Sequence, residues 1–468
     1  MTSDLFGVGL SGLRAARVQL EVSSSNVANA NTPGYTRRSA LLISDAATGG
    51  GYVQYSGITS GSAGVRIDGI ERGYDQFLTQ DVRITGGRAA NTDARAQWLG
   101  EIEGALGGRE AGISGAIAQF VDGIERLSAA PTSTPLRGEV LAAADNLAAA
   151  FRETANRMEN IEDGIEGTLE ASVGTVNAKL EQLQEINRQL ARTQEGTASG
   201  AALLDRRDAA LDELSQEVPI HIEFLSKGRV LVRMSDESGP ELVGETSVSA
   251  LALGDPGGDG LPTLQFNANF APQDAPIPTG GRIGGLYSAL ASTLSAKENL
   301  DNFAVQTADL VNGQHAAGVD LNGDPGSAIF GTTTGNPVTG AADIIMALTD
   351  PEQIASAAAL LEDGVTPTPP NQEDNRNLLA MSALVDAPLT AGIARQRGDA
   401  STAFSAARDR ANIANVAAVD ADTTRANMTG VSLDEEAANL IRYQQSYEAA
   451  ARIIATARDT FDTLLRIR

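Results

Sequence analysis

The two ends of this 468-residue chain carry the same apolar spacing, in which the step alternates between three and four residues. Such spacing predicts two helices, each with one narrow apolar seam that must pack against another helix rather than a broad core. The simplest partner for each terminal helix is the other. The amino-terminal series is Phe6, Gly9, Leu13, Ala16, Leu20, Ser23, Val27 and Ala30. The carboxyl-terminal series is Leu433, Glu436, Leu440, Tyr443, Tyr447, Ala450, Ile454, Ala457, Phe461 and Leu464.

Two uses of these seams remain open. The helices could form an intramolecular coiled coil that closes a monomer, or their seams could build an assembly of many copies. An isolated helix with one thin apolar stripe is only marginally stable in water, so we hypothesise that both ends are frayed in the free monomer and order on docking. The predicted assembly residues are the larger seam members Phe6, Leu13, Leu20, Val27, Leu433, Leu440, Tyr447, Ile454, Phe461 and Leu464.

Composition excludes several functional classes. The net charge of −25 would repel nucleic acid and an anionic membrane surface, so neither is expected as a partner. The chain contains no cysteine, which excludes disulfides, thiolate metal sites and cysteine nucleophiles. The first residues lack the basic and apolar regions of a signal peptide, and no segment is expected to span a membrane.

Periodicity along the chain predicts a mainly α fold with an inserted β domain. The terminal helices would pair as a coiled coil, and both halves of the chain would contribute to one helical bundle. A run of β-type segments and Gly-rich turns follows Pro219. Three domains are predicted. Residues 1–40 and 428–468 form the coiled coil, and residues 218–283 form the β domain. Residues 41–217 and 284–427 form the bundle, which includes a loop-rich part at about 316–372.

The chain offers no recognisable catalytic, cofactor or metal site, so we expect no enzyme and no cofactor. His221 and His315 fall in different predicted units, which argues against a triad or a histidine metal site. Asp320-Leu321-Asn322-Gly323-Asp324 resembles the start of a calcium loop, but Pro325 and Gly331 replace the required Gly and Glu. An Asx-rich turn is the preferred interpretation.

A polar motif follows the first seam, and it carries a resemblance. Residues 24–35 read Ser-Ser-Asn-Val-Ala-Asn-Ala-Asn-Thr-Pro-Gly-Tyr, which resembles the amino-terminal signature of bacterial flagellar rod, hook and hook-associated axial proteins. Residues 430–465 are similar to the carboxyl-terminal signature of the same family. The motif residues predicted to matter are Asn26, Asn29, Asn31, Pro33, Gly34 and Tyr35.

Three internal segments resemble the hook-associated members of that family: 203–215, 284–323 and 374–377. The resemblance implies a structural subunit that joins the flagellar hook to the filament and assembles outside the cell. It implies type III export without a cleaved signal peptide. The implied partners are other copies of the chain, the hook protein, the second hook-associated protein and an export chaperone.

Two alternatives differ in what they require. A hook or distal rod subunit would share both terminal signatures but would replace the long helical bundle with β domains. An enzyme on an axial scaffold, such as a peptidoglycan hydrolase, would need a pair of carboxylates in a cleft. The acidic residues between 205 and 223 are expected to be helical and exposed instead.

Overall fold

The computed structural model describes residues 2–44, 64–107, 112–268, 271–358, 361–362, 366–367 and 372–466. Long helices dominate these residues, as the sequence predicts. Asp75 and Thr197 cap two of the helices, because their side-chain oxygens accept from the backbone N–H groups of Leu78 and Gly200. The helices are α1 Thr2–Asn29, α2 Gln76–Leu106, α3 Ile113–Ala129, α4 Thr134–Arg192, α5 Ala198–Glu217, α6 Gly281–Ala316, α7 Arg376–Thr429 and α8 Leu433–Arg466.

The strands are short and pair antiparallel. After α1, β1 (Arg38–Ser44) pairs with β2 (Val65–Arg72), and we call this pair the β1–β2 ladder. Residues 45–63, part of the predicted extended segment, lie outside the described residues. The predicted β region holds two three-stranded sheets, formed by β3 Ile220–Phe224, β4 Val230–Met234 and β5 Glu241–Val243, and by β6 Ala250–Pro256, β7 Pro262–Ala268 and β8 Ala271–Asp274. The loop-rich part adds β9 Gly318–Val319, β10 Phe330–Gly331, β11 Ile345–Met346, β12 Ala357–Ala358, β13 Leu361–Glu362 and β14 Thr366–Pro367.

One hydrophobic core joins the helices to the central strands. It includes Phe151 of α4, Leu290 of α6 and Leu389 of α7, together with Val232 of β4 and Leu251 of β6. The prediction of a mainly α fold with β structure in the middle is therefore confirmed. The division into three domains remains a prediction. We refer to α2–α7 with β3–β12 as the body.

One helical run meets a simple test for a membrane span. The helical run Arg376–Thr463 is long and apolar enough, by length and composition, to cross a membrane, so the expectation that no segment reaches the length of a span is wrong. Core helices pass the same test, so length and composition alone are weak evidence for a membrane segment.

Buried polar groups order the loop-rich part and hold it to the helices of the body. Asp320 Oδ1 accepts from the backbone N–H groups of Asn322 at 2.8 Å and Asp324 at 2.9 Å, which confirms the predicted Asx-rich turn. Buried Arg137 donates to the carbonyl oxygens of Pro131 and Ile354, both at 2.7 Å. These bonds tie the loop-rich part to the start of α4.

His315 bridges two loops in the same region. Its Nδ1 lies 2.5 Å from the carbonyl oxygen of Ser327, and its Nε2 lies 2.7 Å from the backbone nitrogen of Ala355. A carbonyl only accepts and an N–H only donates, so the ring must be neutral with its proton on Nδ1. Burial lowers the pKa of His315, and nearby Arg137 acts in the same direction, against the opposing effects of Ser327 and Asp320.

We predict that the body loses stability as the pH falls below about 6.5, the ordinary pKa of histidine. Because the folded-state pKa of His315 is depressed, the unfolded chain binds the proton first, and stability falls as pH drops toward the folded-state value. His315→Leu should lower the free energy of unfolding by about 1–3 kcal/mol for each polar group left unpaired, and the stability of the variant should depend less on pH. Thermal unfolding between neutral and mildly acidic pH measures both effects. The control is His221→Leu, which replaces the exposed histidine and leaves the buried bonds of His315 in place, so the melting temperature should fall with pH as it does in the wild type. The prediction is contradicted if the melting temperatures of wild type and His315→Leu fall equally with pH.

Candidate assembly site

The first and last helices pack against each other in antiparallel orientation. Gly9 faces Ala450 and Ile454, whereas Ser23 contacts Glu436, so residue numbers rise along α1 as they fall along α8. A Cβ atom at Gly9 would lie 2.8 Å from Ile454 Cγ1, which leaves no room for a larger side chain in this arrangement. The helices therefore approach closely because the facing residue is glycine.

Small residues recur along this contact at every seventh position. Gly9, Ala16 and Ser23 are buried on α1, and Ala450 and Ala457 are buried on α8. Seven-residue spacing keeps side chains on one face of a helix. Small residues therefore make most of the contact between the two helices, and the larger seam members Ile454 and Glu436 also take part, opposite Gly9 and Ser23.

Most of the larger seam residues flank that contact and remain at least partly accessible. Leu13, Leu20, Leu440 and Ile454 are half-buried. The side chain of Leu464 lies outside the described residues. The exposed members of the predicted set are Phe6 at 47%, Val27 at 38%, Leu433 at 53%, Tyr447 at 38% and Phe461 at 52% of full exposure. Their role as assembly contacts stays a prediction.

The polar motif closes the end of the helix pair through Asn26. The Asn26 amide oxygen accepts from the Arg38 backbone N–H at 3.0 Å and from the Tyr35 hydroxyl at 2.9 Å. Its amide nitrogen donates to the Arg38 carbonyl at 2.8 Å and to Glu436 Oε1 at 3.1 Å. Every hydrogen-bonding group of this buried side chain is used, so Asn26 ties α1 to both β1 and α8.

The other motif residues shape the turn that follows. Asn29 donates to the Ser25 carbonyl at 2.8 Å, at the last residue of α1. Gly34 has a φ of +74°, a conformation that favours glycine, whereas Asn31 and Pro33 are exposed within the turn. The structure thus brings Asn26, Tyr35 and Gly34 into one corner.

Glu436 is the charged partner of this corner. Its carboxylate accepts from the Ser23 hydroxyl at 2.5 Å and forms an ion pair with Arg37 Nε at 3.4 Å. The side chain is buried although it belongs to an apolar series. A charge at a seam position was the sequence signal for this contact, because a buried carboxylate requires partners.

A second polar cluster lies where the β1–β2 ladder meets the body. Asp205, Asp208 and Asp212 lie on one face of α5, because they are spaced by three and four residues. Each accepts from arginines of other segments, and Asp208 also accepts from its neighbour Arg207 at 2.7 Å. Asp205 accepts from Arg38 at 2.9 Å and Arg72 at 3.2 Å. Asp208 accepts from Arg72 and from Arg83 at 3.3 Å, and Asp212 accepts from Arg83 at 2.7 Å and Arg425 at 2.5 Å. We call these eight residues the Arg/Asp network.

This network corrects one sequence-based expectation. The acidic residues between 205 and 223 are expected to be helical and exposed, but Asp205 and Asp208 are each only 8% exposed, and Glu223 lies in β3. Arginine partners make their burial possible. Burial acts to raise the pKa of Asp208, but Arg207, Arg72 and Arg83 outweigh it and hold that pKa below its ordinary value. Sequence reasoning missed Arg38, Arg72, Arg83 and Arg425 because they come from distant parts of the chain.

The polar side chains of the corner around Asn26 and of the Arg/Asp network bind one another. Among the residues that the structure describes, no group of three His, Cys, Asp or Glu side chains is placed to hold a metal ion. The ionised groups singled out here are occupied by partners within the chain. Their arrangement can hold segments together and leaves apolar side chains free on the terminal helices.

Family models match both ends and the body. The model for "Flagella basal body rod protein" matches residues 6–36, and that for "Flagellar basal body rod FlgEFG protein C-terminal" matches 425–467. The model for "Flagellar hook-associated protein FlgK helical domain" matches 99–330. This internal match separates the chain from hook and rod subunits.

Whole-chain comparisons agree. The chain is 26% identical to flagellar hook-associated protein 1 of Bacillus subtilis, over 99% of this chain and 98% of that protein. It is 24% identical to the protein of the same name in Salmonella typhimurium, over the full length of both. The flagellar hook junction protein FlgK from Burkholderia pseudomallei has the same fold, with a TM-score of 0.64 at 16% identity, over 74% of this chain and 99% of that one.

The paired terminal helices and their two matches define the class of the protein, the flagellar axial proteins of the rod, hook and hook-associated group. Within that class the chain belongs to the family of flagellar hook-associated protein 1, or FlgK. It is a hook-associated structural component of the flagellum.

We predict that Gly9→Val separates the terminal helices and that Gly7→Val does not. A Cβ at Gly9 would press on Ile454 and Ile453, whereas none of the described atoms lies within 4 Å of a Cβ at Gly7. Overpacking of this kind destabilises the packed arrangement by about 1–3 kcal/mol. The readout is disulfide formation by a Gly12→Cys/Ala450→Cys pair, whose Cβ atoms would lie 3.6 Å apart. The prediction fails if both valine variants form the disulfide equally fast.

Proposed function

We propose that this protein assembles at the hook–filament junction through its paired terminal helices, as a structural subunit without catalytic activity. The observation that carries the proposal is the division of each seam. Small residues close the pair within the chain, and larger apolar residues remain exposed along the same two helices. An apolar stripe that stays exposed on a folded chain is typical of a protein–protein contact.

The first partner we propose is another copy of the chain. The exposed stripe would pack against the stripe of a neighbouring subunit, so that α1 and α8 form the inner layer of the assembly. The near-neutral terminal helices favour such dense packing, because most of the negative charge lies elsewhere in the chain. The hook protein and the second hook-associated protein would contact the two faces of this layer.

The route to that position is also proposed. The chain would leave the cell by type III export, accompanied by a chaperone that covers α8, and would be extracellular once assembled. A pair that buries mainly Gly, Ala and Ser gains little apolar burial, which supports our hypothesis that the ends are frayed before docking. Circular dichroism of the monomer and of the assembled protein would measure the helix gained.

The assignment is tested by electron microscopy of cells that lack the protein. Loss of a junction subunit should leave hooks without filaments, because the filament has no surface on which to start. Cells that lack hooks would indicate a rod or hook subunit instead. Intact filaments would refute a role at the junction.

We predict that Phe461→Asp blocks incorporation at the hook tip but leaves the monomer folded. Phe461 is 52% exposed, so the monomer should lose no more than about 0.5 kcal/mol, whereas a charge buried between subunits would be strongly unfavourable. Filament-bearing hooks are counted by electron microscopy, and thermal unfolding checks the fold. Thr463→Asp is the matched control on another face of α8. Normal filaments with Phe461→Asp would remove the stripe from the mechanism.

A further inference from the structure

The terminal helix pair reaches the body without sharing its hydrophobic core. Among the described residues, α1 packs against α8 and the β1–β2 ladder, and α8 packs against α1. The core of the body includes no buried residue from α1, β1, β2 or α8. The connection between the two parts must therefore be made by other forces.

Polar contacts supply that connection. Asp205 of α5 accepts from three groups on the ladder side, namely the Thr36 hydroxyl at 2.7 Å and the guanidinium groups of Arg38 and Arg72. The backbone N–H of Ile70 donates to the Gly196 carbonyl at 2.7 Å, in the loop before α5. The side chains of Arg38, Arg72 and Asp205 are no more than 11% exposed, so these ion pairs are shielded from water.

The same network then continues through the body. Asp208 links Arg72 of the ladder to Arg83 of α2, and Asp212 links Arg83 to Arg425 of α7. Arg38 also stacks on the Tyr35 ring, with its guanidinium carbon 4.6 Å from the ring centroid, and its backbone is bonded to Asn26. A continuous series of directional contacts thus runs from the terminal helices to α7.

We infer that the Arg/Asp network fixes the direction in which the terminal helix pair leaves the body, and that Asp205 is its principal positioning residue. Hydrogen-bonded ion pairs depend on direction, so they hold an orientation that a smooth apolar contact would leave free to slide. Without Asp205, the ladder side would lose three of its bonds to α5. It would keep its covalent links, the Gly196 contact, the Arg72–Asp208 ion pair and the bond from the Arg37 N–H to the Thr429 carbonyl. Both parts would stay folded, and their relative orientation would vary.

The test measures one distance in the free chain. Because the chain has no cysteine, Leu41→Cys on β1 and Ala171→Cys on α4, both at exposed positions, place two spin labels uniquely. We expect one narrow distance distribution in the otherwise wild-type protein and a broad or multiple distribution with Asp205→Asn. The matched control is Asp212→Asn, on the same helix and in the same network, because Asp212 pairs only with arginines of the body.

The distance distributions of the two variants decide whether the inference holds. A narrow distribution with Asp205→Asn, or equal broadening with Asp212→Asn, would overturn the inference. Arg38→Gln tests the same contact from the ladder if Asp205→Asn fails to fold, and it should broaden the distribution because Asp205 then keeps only Arg72 and Thr36. Thermal unfolding verifies that each variant keeps a folded body.

The consequence for assembly rests on the proposed function. A loosely oriented terminal pair should lower the yield of filament-bearing hooks even though its apolar stripe is unchanged. The labels report on the free chain, so the orientation result stands or falls independently of the assembly result. Broadened distances with normal filaments would keep the positioning role and remove its importance for assembly.

Discussion

The close approach of α1 and α8 is the contact on which the rest of the terminal structure depends. It is possible because glycine and alanine occupy the facing positions, and a Cβ at Gly9 alone would collide with Ile454. Close packing of small residues brings backbones together but removes little apolar area from water. The larger side chains are displaced to the edges of the pair. One geometric requirement therefore produces both a weak internal contact and an exposed apolar surface.

The hydrogen bonds of the polar corner around Asn26 fix where the end of α1 meets the start of α8. The side chain of Asn26 joins the end of α1 to β1 and to Glu436 at the start of α8. Buried polar groups of this kind are costly when a partner is missing, so they favour the one arrangement that satisfies all of them. The antiparallel register of the helices follows from this corner together with the short connections 30–37 and 430–432.

The sequence predicted much of this architecture because helical periodicity is a local signal. The two terminal helices follow from their apolar spacing, and the β region follows from the β-type segments and Gly-rich turns after Pro219. The Arg/Asp network could not be predicted in the same way. Its partners are separated by as many as 213 positions, from Asp212 to Arg425, and no local pattern connects them. The acids of α5 therefore resembled an exposed helical face, and only folding brings arginines over them.

Ion pairs connect the terminal helix pair to the body, and they affect its orientation more than its stability. A buried ion pair adds little net stability compared with apolar residues of the same size, because desolvation offsets most of the attraction. Removing one partner is nevertheless strongly unfavourable, because the other charge stays buried. Such a connection contributes orientation more than stability. The body has its own hydrophobic core, whereas the terminal helices depend on a directional contact for their position and on each other for their packing.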